Sequence, residues 1–154
     1  MFEKFGEFNS VEELNKAAEG LKAEGDSEGL SILAEENGID HGDAADYWNG
    51  DMKALATLTT AAMGRVAIQK KESKIPEYAR DVIYGMAETL CAQRDEPVET
   101  LIMKKGARID SIWKAMEDMA RKNRKGNMGV ACGTDADLRR MIISALGGDG
   151  HETC

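Results

Sequence analysis

Apolar residues recur at steps of three and four along most of the chain, and no convincing step of two appears, so the pattern predicts an all-α protein of about seven to eight helices. Ser10-Val11-Glu12-Glu13 has the spelling of a capping box, in which a Ser hydroxyl and a Glu carboxylate each satisfy an orphan amide of the first turn. It predicts a helix from Ser10 that carries Val11, Leu14, Ala18 and Leu21 and stops at Gly25. A second, short helix is expected from Ser27 through Leu30 and Leu33 to Asn37-Gly38, a pair suited to a left-handed cap. Asp40 caps a third that ends at Asn49-Gly50. The inner face of this small unit is expected to be Leu14, Leu21, Leu30, Leu33, Ile39, Tyr47 and Trp48.

Met52, Leu55, Ala62 and Val66, joined by Leu58 and Met63, continue on one stripe and predict a longer helix of about four to five turns. Residues 69–76 carry almost no apolar content and end at Pro76, so a linker or helix break is expected there. It divides an acidic helical lobe over 1–68 from a second helical lobe over 77–148, followed by a flexible tail over 149–154. In the second lobe a helix is expected on Ala79, Ile83, Met86 and Leu90, and a short one from Pro97 to Gly106. Another follows on Ile109, Ile112, Trp113, Met116 and Met119, with Trp113 expected to be buried. The last starts at Thr134-Asp135 and carries Leu138, Met141, Ile142 and Leu146 to Gly147-Gly148.

With 42% hydrophobic and 31% charged residues and only two prolines, the 154 residues have a folded, globular composition. No apolar run approaches the roughly 20 residues that span a bilayer. The start, MFEKFGEF, has acids where a signal peptide has a basic and then an apolar segment, so a cytoplasmic location away from membranes is expected. Cys91, Cys132 and Cys154 are odd in number and far apart, which predicts free thiols. His151 and Cys154 fall short of the four ligands that zinc prefers, so no metal is expected. Residues 40–51 hold four aspartates, but with Asp40 first the next ligand positions fall on Gly42 and Ala44 and the turn glycine is missing, so calcium is not expected either.

Nucleophilic catalysis needs a Ser or Cys beside a His, and the only histidines are His41, next to a helix start, and His151 in the tail. The glycines at 126–129 and 147–148 lack the Lys-Ser/Thr of a phosphate loop. Adjacent carboxylates such as Glu12/Glu13 stand about 100° apart on a helix and do not share a proton. Neither catalytic residues nor a cofactor is expected, and the chain is read as a binding protein and not as an enzyme.

Charge adds a direction. The net charge of −8 hides a split: residues 1–60 hold fourteen acids and four lysines, a net of −10, whereas residues 61–154 hold sixteen bases and fourteen acids, a net of +2. A surplus of acid excludes a general nucleic-acid coat protein. Two candidate contact surfaces follow. The basic one centres on Arg121, Lys122, Arg124, Lys125, Arg139 and Arg140, of which interaction with a helix carboxyl end accounts for two; the rest suit phosphate or an acidic partner. The acidic one centres on Glu12, Glu19, Glu35, Asp43 and Asp46, which are read either as solvated surface or as an imitation of a phosphate backbone.

In the second half, a helix ending Glu88-Thr-Leu-Cys-Ala-Gln93 is followed by Asp95, by Lys104-Lys105, by a helix with Ile112-Trp113 and Met116, by a basic turn from Arg121 to Lys125, and by Val130-Ala-Cys-Gly-Thr134-Asp-Ala-Asp137. This order resembles the PcfK-like family of small proteins from conjugative elements, some relatives of which inhibit type II CRISPR nucleases. Ser10-Val-Glu-Glu-Leu-Asn-Lys-Ala-Ala18 and Leu33-Ala-Glu-Glu-Asn-Gly-Ile39 are similar to an acidic helical module on phage and mobile-element proteins. The resemblance implies a mobile-element accessory protein, an anti-CRISPR inhibitor whose protein partner is a CRISPR effector nuclease and which needs no cofactor. The alternative is a small helical regulator that binds nucleic acid through its basic C-terminal surface.

Overall fold

Ser10 starts the first helix as its spelling demands. It lies in extended backbone, its Oγ accepts the amide of Glu13 at 3.2 Å, and α1 runs Val11–Ala23. The Glu13 carboxylate reaches one residue further back than the capping box prescribes and accepts the amide of Asn9 at 2.9 Å. At the other end Gly25, at φ +71°, lets the amide of Asp26 reach the Leu21 carbonyl at 2.9 Å, which closes a Schellman turn. Asp26 then caps α2 (Ser27–Glu36), and Asp40 caps α3 (His41–Asn49). Leu14, Leu30, Leu33, Ile39 and Tyr47 are buried as expected, while Leu21 and Trp48 pack only partly against them.

The computed structural model describes residues 2–122 and 135–147, among which there are eight α-helices and no strand. The protein is all-α. Arg124, Lys125, Cys132, Thr134 and the tail with His151 and Cys154 lie outside the described residues. Among the described residues no helix is long and apolar enough to cross a membrane.

The fourth helix begins later than the stripe from Met52 predicts. α4 is Leu58–Glu72, because Thr57 turns its Oγ to the amide of Thr60 at 3.1 Å and so sets an N-cap. The preceding residues are held outside a helix by Asn15 of α1, whose amide donates to the Ala56 carbonyl (2.9 Å) and accepts the Ala56 amide (3.0 Å). Leu55 and Ala56 are buried there all the same.

α4 also ends later than expected. Residues 69–72 are helical, which narrows the break to residues 73–76 before α5 (Glu77–Ala92). Gln69 is only 4% exposed; its amide donates to the Ala107 carbonyl (3.0 Å) and accepts the amide of Ile109 (2.8 Å). Just beyond, Asp110 accepts the Ser73 hydroxyl at 2.5 Å, the Lys74 amide at 3.1 Å and the Tyr84 hydroxyl at 2.7 Å. The segment is tied down by polar bonds where apolar anchors are lacking. One cluster of buried apolar side chains runs across it, from Leu14 and Leu33 through Val66 and Ile83 to Ile112 and Ile142.

α6 (Glu96–Met103) packs on α4 and α5, and α7 (Ser111–Lys122) pairs with α8 (Asp135–Gly147), which also rests on α6. Trp113 is not buried as its stripe predicted. It is partly exposed, edge-on to the ring of Tyr78 at 5.9 Å and 85°, and Tyr78 is itself 69% exposed. α7 leans mainly on α8, so Ile112 is its one fully buried residue and the indole stays at the margin of the core.

Candidate functional site

Residues 10–51 hold twelve acids and two lysines. Four of the acids accept backbone amides: Glu13 takes that of Asn9, Asp26 that of Gly29 and Asp40 that of Gly42, all local, while Glu36 takes the amides of Lys4 (2.6 Å) and Phe5 (3.2 Å) from the start of the chain. One of the lysines is turned inward, since the Lys22 ammonium donates to the Tyr47 carbonyl at 2.7 Å and lies 4.7 Å from the centre of its ring. Burial, with the charge of Glu19, pushes the Tyr47 phenol up from its ordinary value.

The five candidate acids have no such employment. Glu12 and Glu19 on α1, Glu35 on α2 and Asp46 on α3 are exposed, and Asp43 on α3 is half-buried. None of their carboxylates makes a hydrogen bond or ion pair among the described residues. The fold does not gather them into one pocket: Glu12 faces a cleft with Arg94, Glu96 and Glu99, whereas Glu35 faces another with Ile68 and Lys71 of α4. They form a surface spread over three packed helices.

The basic candidates behave differently. Arg139 grips Asp95 through Nε (2.6 Å) and Nη2 (3.1 Å), and Asp95 also caps α6 by accepting the Val98 amide at 3.4 Å. The Arg139 hydrogen bonds, opposed by burial, hold the Asp95 carboxyl below its ordinary value. Arg140 lies 3.6 Å from Asp137, and Arg121 lies 3.7 Å from Asp118, each one turn away on its own helix. Lys122 is exposed in the last turn of α7. Part of the basic surplus is therefore neutralised within the protein.

One charged cluster escaped the sequence reading. The Glu7 carboxylate accepts Arg65 Nη1 at 3.0 Å, Arg108 Nη1 at 2.8 Å and Nη2 at 3.2 Å, and the Gly106 amide at 3.1 Å. Arg65 is 1% exposed, its second nitrogen bonds the Phe8 carbonyl at 3.1 Å, and its guanidinium lies 5.0 Å from the centre of the Phe2 ring. Burial raises the Glu7 carboxyl, but the Arg108 hydrogen bonds, the Gly106 amide and the two guanidinium charges outweigh it and hold the group below its ordinary value. The available signal was Arg65 itself, the sole charged residue between Lys53 and Lys70 and set within the apolar stripe of α4.

Cys91 is buried in α5, and burial, with the charges of Glu99, Asp95 and Glu88, pushes its thiol up to about 12, so it is not an activated nucleophile. Glu99 is 2% exposed and accepts the Thr59 hydroxyl on both oxygens at 3.0 Å. Among the described residues no three His, Cys, Asp or Glu side chains gather to hold a metal. Comparison of the chain with protein-family models, with curated proteins and with solved structures finds no match, so the acidic surface is read from its own chemistry.

Proposed function

We propose that the protein acts by binding, that the acidic surface of α1–α3 is its contact surface, and that the partner presents a positively charged face of the kind that holds nucleic acid. The observation that carries this reading is an asymmetry in how charge is spent. Among the described residues Glu12, Glu19, Glu35, Asp43 and Asp46 make no hydrogen bond or ion pair through their carboxylates, while Arg121, Arg139 and Arg140 face Asp118, Asp95 and Asp137. Unpaired acids on packed helices offer a preorganised negative field, and such a field favours association with a cationic cleft.

The resemblance to PcfK-like proteins narrows the partner to a type II RNA-guided nuclease, which holds guide and target in a positively charged channel that reads backbone geometry. The protein then inhibits by competing for that channel, stoichiometrically and without turnover. The test is a DNA-cleavage assay with purified type II effectors, titrated with the wild-type protein and with a variant carrying amides at the five acids. Inhibition that weakens as salt brings the Debye length below about 8 Å, and that the variant loses, is expected. Absence of inhibition at about a tenfold molar excess across several effectors overturns the inhibitor reading. Equal potency of the two proteins overturns the acidic surface and leaves the basic end of α7 and α8.

A further inference from the structure

The cleft between α2 and α4 has a volume of about 420 Å³ and joins two features that folding alone does not explain. Ile32 and Ile68 stand in it half-exposed, and neither is among the core side chains or those packed against them. Around them the lining carries four carboxylates, of Glu3, Glu35, Glu36 and Glu72, against one cation, Lys71. Glu35, Glu36 and Glu72 lie in the last turns of α2 and α4, where the helix dipole favours cations, and the last turn of α2 has no basic residue at all. Glu36 holds the amides of Lys4 and Phe5, next to Glu3. The carboxylates of Glu3 and Glu35 make no hydrogen bond or ion pair among the described residues.

We propose that this cleft receives an arginine side chain of the partner, whose methylene stem lies on Ile32 and Ile68 and whose guanidinium bonds Glu35 and Glu3. The proposal rests on the acidic-surface reading and deepens it, because it names the residue type that docks and the point where it is anchored. Charge complementarity selects a cation: carboxylates at the carboxyl ends of two helices repel phosphate and acidic peptides. The acids are too spread to suit a metal ion, since among the described residues no three of them gather to hold one. The apolar floor then selects a cation with a long apolar stem. Of the two such side chains, the planar and weakly hydrated guanidinium can reach separate carboxylates at once and lie flat on apolar surface, where the ammonium of lysine is a compact, strongly hydrated point charge. Arginine is also the side chain that pairs with phosphate in forked geometry, so its capture here competes with nucleic acid for the partner's channel.

The test uses Nα-acetyl-arginine amide, in which the guanidinium is the only charge, and the matching citrulline amide, which has nearly the same shape and no charge. Backbone amide shifts of the full chain are followed by NMR as each probe is added. The arginine probe is expected to move the amides around Ile32, Glu35 and Ile68 in a saturable way, and the citrulline probe to bind about tenfold more weakly, equivalent to about 1.4 kcal/mol. Ile32→Ser together with Ile68→Ser keeps every charge and removes the floor; because both residues stand outside the core, Tm is expected to stay nearly unchanged while the arginine probe weakens about fivefold. Equal affinity for the two probes, no saturable shift at the cleft, or a serine variant that binds like its parent overturns the proposal. The acidic-surface reading is decided separately, by titrating the nuclease with the serine variant beside the five-amide variant, and weaker inhibition by both is expected. Loss of inhibition in the five-amide variant alone overturns the cleft and leaves the acidic surface standing. Full inhibition by both variants overturns the surface and the cleft together.

Discussion

Gly38 and Gly64 meet backbone to backbone: a Cβ on Gly38 would stand 2.5 Å from the carbonyl oxygen of Gly64, and one on Gly64 would collide with the carbonyl oxygen of Asn37. This contact lays the α2–α3 turn directly on α4 and so sets the acidic helices on the rest of the core. Gly38 also needs its left-handed backbone, at φ +66°.

Gly64→Ala is therefore expected to destabilise although it lies inside a helix. The gain in helix propensity is about 1 kcal/mol, whereas overpacking against rigid backbone costs about 1–3 kcal/mol and adds the loss of the neighbouring turn. Gly20 in α1 and Gly85 in α5 have nothing within 4 Å of a built Cβ, and their change to Ala should stabilise by about 0.5–1 kcal/mol. Urea unfolding of the three variants checks the contrast; an unchanged midpoint for Gly64→Ala contradicts the close approach.

Arg94 is the only described non-glycine residue with positive φ, at +56°, and it ends α5 as a Schellman turn in which the Asp95 amide reaches the Leu90 carbonyl at 3.0 Å. A side chain in that conformation is strained by about 1–2 kcal/mol, part of which glycine gives back through a floppier unfolded chain. Arg94→Gly should raise stability by about 0.5–1 kcal/mol, read as a higher Tm. A lower Tm would show that the Arg94 side chain contributes more than its backbone strain removes.

Cys91 has no exposed surface, and its thiol is pushed up to about 12. At neutral pH it stays protonated and sealed, so iodoacetamide should modify it only in the unfolded protein. Peptide mapping after labelling with and without denaturant reads this, and rapid native labelling at Cys91 would mean that α5 opens.

The helices were legible because their ends are spelled locally. Ser10, Asp26, Asp40, Asp95 and the glycines at 25, 38 and 50 act on amides within a few residues of themselves. The start of α4 was not, because Thr57 had to be chosen over a continuing apolar stripe, and the choice is fixed by Asn15, which lies 41 residues away. The anchoring of residues 69–76 was hidden for the same reason: Gln69, Ser73 and Asp110 are ordinary polar residues until the fold brings 69–74 beside 107–110. The five acids could be picked out by composition, but that they lack partners among the described residues became visible only once the carboxylates bonded to backbone amides had been accounted for.

Glu7 and Arg65 make the sharpest energetic prediction. The pair is 10% and 1% exposed, and removing the Glu7 charge leaves the Arg65 guanidinium buried without its counter-charge, whereas Glu7 has Arg108 as a second cation. Glu7→Gln should cost about 3 kcal/mol at neutral pH, and adding Arg65→Met should recover much of it, since an apolar residue of similar volume needs no partner. The pH dependence follows from the same geometry. The Glu7, Asp95 and Asp110 carboxyls all lie below their ordinary values in the folded protein, with burial opposing the shift in each case; at Asp110 the Ser73 and Tyr84 hydroxyls, the Lys74 amide and the Arg80 charge overcome it. Their stabilisation is full above the ordinary carboxylate range, about pH 4, and is lost as pH falls below it through the lowered folded values. Tm should therefore be flat near neutrality and drop steeply in acid, and Glu7→Gln should show a shallower drop that brings it toward the wild-type curve at the lowest pH. Parallel acid limbs for the two proteins would mean that Glu7 is not held in its charged form by Arg65 and Arg108.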